Sequence, residues 1–279
     1  MTDISVIIVN HKAADYVRRA IAALPAAAGG LRWETIVMDN SDEPQDVGCA
    51  DHWRPVENRG FGTACNEGAR LARGRLLLFL NPDSELEPGA LSGAAECLET
   101  WPEAGLVGIR TQLPDGSFEA GCLRGVPTPG RALCYYLGLE KLFPRSHLCG
   151  GYHMTWLDRR RSAEVDSVSG SFMLLRRELF EQLGGFDEEY FMYGEDLDLC
   201  LRVREKGLKV VYFAGGRMLH HHGKCGRNPR QTAAFYDSMA IFYDKHLASR
   251  YPSLTGRAVH AAVALLRRRA LRELEREND

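Results

Sequence analysis

The chain has no Cys-x-x-Cys pair, no basic excess, no apolar run long enough to cross a bilayer and no basic leader ahead of a cleavage site. Each absence removes a class of protein. Eight cysteines are scattered through 279 residues without the ligand spacing of a zinc site, and a chain of this length needs no disulfide staples. Cys122, Cys134 and Cys149, near His147 and His153, therefore read as buried thiols, and the protein as one kept in a reducing cytoplasm. A formal charge of −2 gives no overall attraction to nucleic acid, so affinity for anions has to be local. Met1 leads almost directly into "ISVIIV", and Ala258 to Leu266 falls short of the roughly 20 residues that a membrane span requires. The chain reads as soluble or peripheral. With 45% hydrophobic and 26% charged residues it can bury one large core, or a core plus a smaller subdomain.

What the chain does contain, over its first 110 residues, is an alternation of strand and helix patterns. Ile4 to Val9 is a β-branched run, Val17, Ala20, Ile21 and Leu24 recur at helical spacing, and Glu34 to Met38 is a second short strand. Leu76 to Leu80 is a third, stopped by Pro82, which removes a backbone donor and pushes Asn81 towards an extended conformation. The three strands run into Asn10, into Asp39 and into Asn81 and Asp83. Polar side chains are thus delivered to one edge, where open α/β sheets bind ligands.

Between the second and third strands, "ENRGFGTACNEGARLARG" places Gly60 and Gly62 ahead of a helix expected to end near Gly74. The turn permits close backbone approach and offers free amides to a phosphate. It lacks the third glycine of a dinucleotide fingerprint and the Lys-Ser/Thr of a P-loop, so on the glycines alone an ordinary tight turn is the better reading. Residues 111–164 change character, with Gly-Pro patches and clustered aromatics that suggest a loop-rich insertion, either an acceptor surface or a lid. Glu195, Asp196 and Asp198 then open a helix ending near Gly207, with Leu197, Leu201 and Leu208 on a buried stripe and Asp198 spaced to pair with Arg202. Acids in a first turn complement the helix dipole; here Tyr190 to Tyr193 precede them, and an aromatic wall would raise a carboxylate towards a useful base. "LHHHGKCGR" adds three histidines that cannot all face one way, while Lys224 and Arg227 supply local positive charge suited to a diphosphate.

The order "SVIIVNHK", "VMDNSD", "NRGFGTACNEG", "LFLNPD", "VSGSFMLLRRELFEQLGGFDEEYFMYGEDLDLCLRVREKG", "HHHGKC" resembles family 2 glycosyltransferases, particularly the bacterial rhamnosyltransferase-like branch, over residues 4–227. The resemblance implies an α/β fold of the GT-A type: a mostly parallel central sheet flanked by helices, with a loop-rich insertion and C-terminal helices. It implies a nucleotide-sugar-binding half over 1–110, an acceptor-side and catalytic half over 111–227, and a helical extension over 228–279. The implied enzyme is a metal-dependent inverting hexosyltransferase of polysaccharide or cell-wall biosynthesis. It would take a dTDP- or UDP-linked sugar and Mg²⁺ or Mn²⁺ and act on a glycan or lipid-linked acceptor.

The resemblance also assigns residues. Asn10 and Asp39 would hold the nucleoside, and Asn58, Gly60, Phe61 and Asn66 would lie by the donor. The Asp-x-Asp element becomes Asn81-Pro82-Asp83, which leaves Asp83 as metal ligand and diphosphate organiser. His220 would assist at the metal, Gly170 and Ser171 would lie near the sugar, and Glu195 and Lys224 on the donor side. Asp196 would be the catalytic base. Cys225 stands where a serine is frequent. A nucleotidyltransferase would need a basic, glycine-rich loop that "VIIVNHKAADYV" lacks, and a non-catalytic glycan or nucleotide-sugar binder would have no use for Asp196. In the tail, Val259, Val263, Leu266, Ala270 and Leu274 recur at helical spacing beside five arginines from Arg257 to Arg272. That pattern fits a helix seated on an anionic membrane at the inner face of the plasma membrane, or a helix packed on the domain.

Overall fold

The computed structural model describes residues 2–221 and 228–278. In chain order the first part comprises β1 (Ile4–Asn10), α1 (Ala14–Ala28), β2 (Trp33–Asp39), β3 (His52–Pro55), α2 (Phe61–Ala69), β4 (Leu76–Leu80), β5 (Ser84–Leu86), α3 (Ala90–Thr100) and β6 (Ala104–Gln112). The insertion contributes β7 (Leu123–Arg124), α4 (Pro129–Tyr136) and α5 (Leu139–Leu142), before β8 (Ala163–Val165), β9 (Ser167–Val168) and β10 (Phe172–Arg176). After these come α6 (Arg177–Gln182), α7 (Glu195–Glu205), β11 (Lys209–His220), α8 (Pro229–Phe242) and α9 (Ser253–Asn278).

The apolar runs are unbroken because both faces of the sheet are covered. All seven residues of β1 and all five of β4 are buried. Alternate side chains go to opposite sides: Val6, Ile8, Leu78 and Leu80 meet Val17, Leu24 and Leu91 of α1 and α3, whereas Ile7, Val9, Leu77 and Phe79 meet Ala64 and Cys65 of α2. Each such leucine or isoleucine stabilises the fold by about 1.5–3 kcal/mol.

The central sheet runs β3-β2-β1-β4-β10-β6-β11-β5, with β8 added on β11. It is parallel from β3 to β4 and again between β6 and β11. Strand β10 enters antiparallel between β4 and β6, and β5 and β8 lie antiparallel on β11. The parallel character expected of the sheet thus belongs to its N-terminal half and to one later pair. Since Phe172 is registered on Leu80, the start of β10 lies against the end of β4. Gly170 and Ser171 are thereby brought beside Asn81.

Two local expectations are revised, and one short strand is added. Helix α2 ends at Ala69, well before Gly74, because the chain turns there so that Gly74 can pass the backbone of β1; a Cβ on Gly74 would sit 2.5 Å from the Ser5 nitrogen. Strand β5 intervenes between Asp83 and α3, and pairs with the end of β11. On α7, Leu199, Cys200 and Val203 are the fully enclosed positions and Leu197 is half-buried, since this helix is covered by the sheet on one side and by the C-terminal helices on the other.

Helix α9 packs with α8. Val259, Val263, Leu266, Ala270 and Leu274 are half-buried, and Arg267 reaches Asp237 of α8 at 3.1 Å. Among the described residues no helix is long and apolar enough to cross a membrane.

Candidate active site

The loops after β1 and β2 are tied into one rim. Asn10 donates its amide to Asp39 Oδ2 at 2.9 Å and accepts from the Ala13 amide at 3.0 Å, while Lys12 N donates to Ser41 Oγ at 2.8 Å. Asp39 also accepts from the amides of Ser41 and Gln45 at 3.0 and 2.9 Å. With both residues buried, Asn10 and Asp39 shape the rim by holding each other and the 40–45 loop. Next to them Asn40 Oδ1 is buried without a protein partner among the described residues. Such an atom costs about 1–3 kcal/mol unless something else hydrogen-bonds it.

The glycine-rich turn is pressed against the segment that leads into α7. Gly60 has φ 121°, and a Cβ there would lie 2.5 Å from the Phe191 carbonyl oxygen, which accepts from Phe61 N at 2.9 Å. Only glycine tolerates this approach in that conformation. Phe61 extends from it to within 3.8 Å of the position a Gly170 Cβ would take. Asn58 is half-buried, and its carbonyl accepts from Arg230 at 3.3 Å. Asn66, expected beside the donor, is instead a clamp. Its amide nitrogen donates to Phe186 O at 2.9 Å and Glu188 at 3.0 Å, and its oxygen accepts from Phe186 N at 2.8 Å, so both ends are engaged in joining α2 to the loop before α7.

Asp83 and His220 meet at the end of β4, with Asp83 Oδ1 3.2 Å from His220 Nε2. The other ring nitrogen, Nδ1, is 2.9 Å from Glu119 Oε2, so Glu119 orients the ring from behind, as outer carboxylates orient metal-binding histidines. Burial opposes charging His220, but its hydrogen bonds to Asp83 and Glu119 outweigh that and carry its pKa up to about 9. His221 turns the other way, to Glu85 at 2.7 Å, and Lys224, Cys225 and Arg227 lie outside the described residues. Among those described, no three metal-capable side chains converge. With its Nε2 proton displaced, His220 could join Asp83 in holding a hard cation that takes its remaining oxygens from phosphates and water.

Asp196 meets the Gly170–Ser171 turn at Gly170. Its Oδ2 accepts from Arg124 Nη2 at 2.5 Å and from Gly170 N at 2.9 Å, and its Oδ1 accepts from Leu197 N at 2.8 Å. A carboxylate has about four acceptor positions, so three fixed donors leave capacity for one hydroxyl. The turn links the two acidic centres: Asn81 N donates to Ser171 O at 3.1 Å, and Gly170 N touches Asp196. The Ser171 hydroxyl is 3.1 Å from that of Ser169, leaving the backbone as its contribution here. The aromatic run before α7 is directed elsewhere. Phe191 lies 4.0 Å under the Arg230 guanidinium and Tyr193 packs edge-on against Phe235, both on α8.

The acidic cluster divides into three environments. Asp198 is buried between Arg202 Nε at 2.7 Å and His246 Nε2 at 2.8 Å, joining α7 to the helical turn after α8. Glu195, expected on the donor side, turns inward towards Cys65 of α2, whose thiol is pushed well up by burial and then by the Glu195 charge. Burial, reinforced by neighbouring Asp196, carries Glu195 up to about 8, and its Oε2 has no partner among the described residues. It is a neutral acid near pH 7 and contributes no anion to the site. From the ordinary glutamate range near 4.3 up to about 8, the folded protein keeps a proton that the unfolded chain has lost. Stability therefore falls as pH rises through that window. Glu195→Gln is expected to flatten the decline in Tm between pH 5 and 8 and to leave any turnover within a few fold. Identical slopes in the two proteins would show the carboxyl to be ionised in the fold.

Two functional neighbours escape a reading of the sequence. Arg124 reaches Asp196 across 72 residues from a two-residue strand in the insertion. Glu119 reaches His220 across 101 from a loop of unremarkable composition. Neither belongs to a spaced motif, so only the tertiary contact reveals it.

Residues 5–184 match the sequence model described as "Glycosyl transferase family 2", and residues 153–224 match one described as "N-terminal domain of galactosyltransferase". The chain is 34% identical over 203 residues to the N-acetylglucosaminyl-diphospho-decaprenol L-rhamnosyltransferase of Mycobacterium tuberculosis, covering 68% of this chain and 65% of that one, so it spans just under two thirds of that relative's length. It is 28% identical over 233 residues to the rhamnosyltransferase WbbL of Escherichia coli K12, covering 78% and 83% respectively. The crystal structure of GalNAc-T7 with UDP, GalNAc and Mn²⁺ superposes with a TM-score of 0.58 at 14% identity, covering 88% of this chain and 48% of that one. That likeness gives the GT-A type of fold. Most of the chain matches the family model, and the matched part carries the strand ends that bear Asn10, Asp39 and Asp83; this protein belongs to glycosyltransferase family 2.

Proposed function

We propose that the chain is an inverting glycosyltransferase that moves a sugar from a dTDP- or UDP-linked donor to a hydroxyl of a glycan or lipid-linked acceptor. The observation that supports this reading is that one turn touches both centres: Gly170 N donates to Asp196, and Ser171 O accepts from Asn81, two residues before Asp83. Rhamnose is the sugar favoured by the names of the relatives.

The rim at Asn10, Asp39 and Asn40 suits the nucleoside, with Asn40 Oδ1 offering an acceptor that has no partner among the described residues. Asp83 and His220 fit a divalent cation, which when bound neutralises charge developing on a leaving diphosphate. Glu119 fixes the tautomer and orientation of His220. Asp196 would take the acceptor proton as that oxygen attacks the anomeric carbon, giving inversion in a single displacement. Arg124 and Gly170 N hold its Oδ2 in place.

A panel of dTDP- and UDP-sugars, with and without Mn²⁺ or Mg²⁺, tests the reading by thermal shift and by transfer to a polyprenyl-diphosphate-linked N-acetylglucosamine. One donor is expected to raise Tm in a cation-dependent way and to be turned over. A donor that binds yet is neither transferred nor hydrolysed would favour the non-catalytic binder.

A further inference from the structure

Apolar residues left in water are unevenly distributed. Of the 11 large hydrophobic side chains exposed among the described residues, seven fall between positions 133 and 148, on α4, α5 and the segment that follows. Leu133 and Leu137 share one face of α4 at i,i+4 spacing and are 60% and 61% exposed; Leu142, Phe143 and Leu148 are 70%, 56% and 57% exposed. Leu148 folds back on the start of α4, its Cδ1 3.4 Å from where a Cβ on Gly130 would lie.

The platform beneath the patch is firmly held. Thr128 caps α4, Arg131 is ion-paired to Asp166 at 2.8 Å, and Glu140 to His153 at 2.9 Å. Asp166 also pairs with Arg204 of α7 at 3.1 Å, the helix that carries Asp196. Lys141 and Arg145 are exposed and form no ion pair among the described residues. Glu140, the one acid between 129 and 149, is already taken by His153.

We propose that α4, α5 and the segment to Leu148 dock on the headgroup region of an anionic lipid membrane, with Leu133, Leu137, Leu142, Phe143 and Leu148 entering the interface. This rests on the reading of the acceptor as lipid-linked. The charge on the patch selects the occupant. A self-complementary dimer would set Lys141 and Arg145 near their own copies with no free acid to offset them, whereas anionic headgroups attract both. Exposed apolar side chains with basic ones among them in the chain are the composition of an interfacial anchor. The patch is tied to the helix that carries Asp196 through Asp166, which pairs with Arg131 of α4 and with Arg204 of α7. On α9, by comparison, Leu254 and Leu265 are exposed singly and the remaining apolar stripe packs with α8.

The test is flotation of the full chain with vesicles of phosphatidylcholine alone or mixed with phosphatidylglycerol. Wild type should float with the anionic vesicles, the Leu142→Glu/Phe143→Glu variant should lose at least about tenfold in partitioning, and Leu254→Glu/Leu265→Glu should stay within about twofold. Tm and transfer to a short-chain, water-soluble acceptor should be unchanged in both variants. A wild type that floats with neither vesicle, an α4–α5 variant that floats normally, or a light-scattering mass showing a dimer that the same variant dissociates would each overturn the inference. Failure of wild type to turn over any donor would instead strike at the proposed function, and is read in the vesicle-free assay.

Discussion

Asp196→Asn is expected to lower single-turnover sugar transfer by about 10²–10⁴, the usual contribution of a positioned general base, with donor affinity kept within a few fold. The surroundings make the result interpretable. Asparagine can present its oxygen to Arg124 and Gly170 N, but its amide then faces the Leu197 N–H, and Arg124 is left buried without a counter-charge. Removing one member of a buried pair costs about 3–5 kcal/mol, so some loss of Tm accompanies the loss of rate. Arg124→Gln separates the two effects. It breaks the same ion pair, with side chains only 16% and 10% exposed, but leaves the carboxylate in place. Its stability loss should match that of Asp196→Asn, while its loss of transfer should be at least an order of magnitude smaller. An Asp196→Asn enzyme that retains more than about a tenth of wild-type transfer would exclude Asp196 as the base.

Asp83→Ala is expected to weaken Mn²⁺-dependent donor binding by at least about a hundredfold, more than the 10–100-fold typical of losing an outer-sphere partner. Calorimetric titration of donor with Mn²⁺, and again with chelator, reads this without any turnover. Asn81→Ala should cost less than tenfold, because among the described residues Asn81 is held by its backbone: its N–H donates to Ser171 O and its carbonyl accepts from Ser84 N. Glu119→Gln should fall between, since it keeps a group on His220 Nδ1 but removes the charge that orients it. Equal donor affinity in wild type and Asp83→Ala at saturating Mn²⁺ would remove Asp83 from the cation site.

Much of this protein is written in local pattern. Ile4 to Val9 and Leu76 to Leu80 are apolar at every position because a strand covered on both faces has no solvent side, and the strands appear where those runs are. Pro82 ends β4 for a reason contained in its own ring. The i,i+4 spacing of Asp198 and Arg202 produced their ion pair without any help from the fold. The helix after Gly60 is legible in the sequence but its end is not, because that end is set by how closely Gly74 must pass β1, a contact between distant parts of the chain.

The acids at the start of α7 show the limit of such reading. In sequence, Glu195, Asp196 and Asp198 are three similar residues in one helical turn, and dipole complementarity describes them equally well. A helix turns about 100° per residue, so they point in different directions, and what lies in each direction comes from elsewhere: Cys65 from α2, Arg124 and Gly170 from β7 and the turn before β10, and His246 from the C-terminal segment. One becomes a neutral buried acid, one a candidate base and one a structural tie. The sequence by itself determined the strands, the family and the edge where the chemistry sits, because those depend on periodicity and on motifs a few residues long. Only the tertiary structure decided which carboxylate does what, because protonation and hydrogen bonding depend on burial and on partners brought in from distant parts of the chain, and no local pattern encodes those.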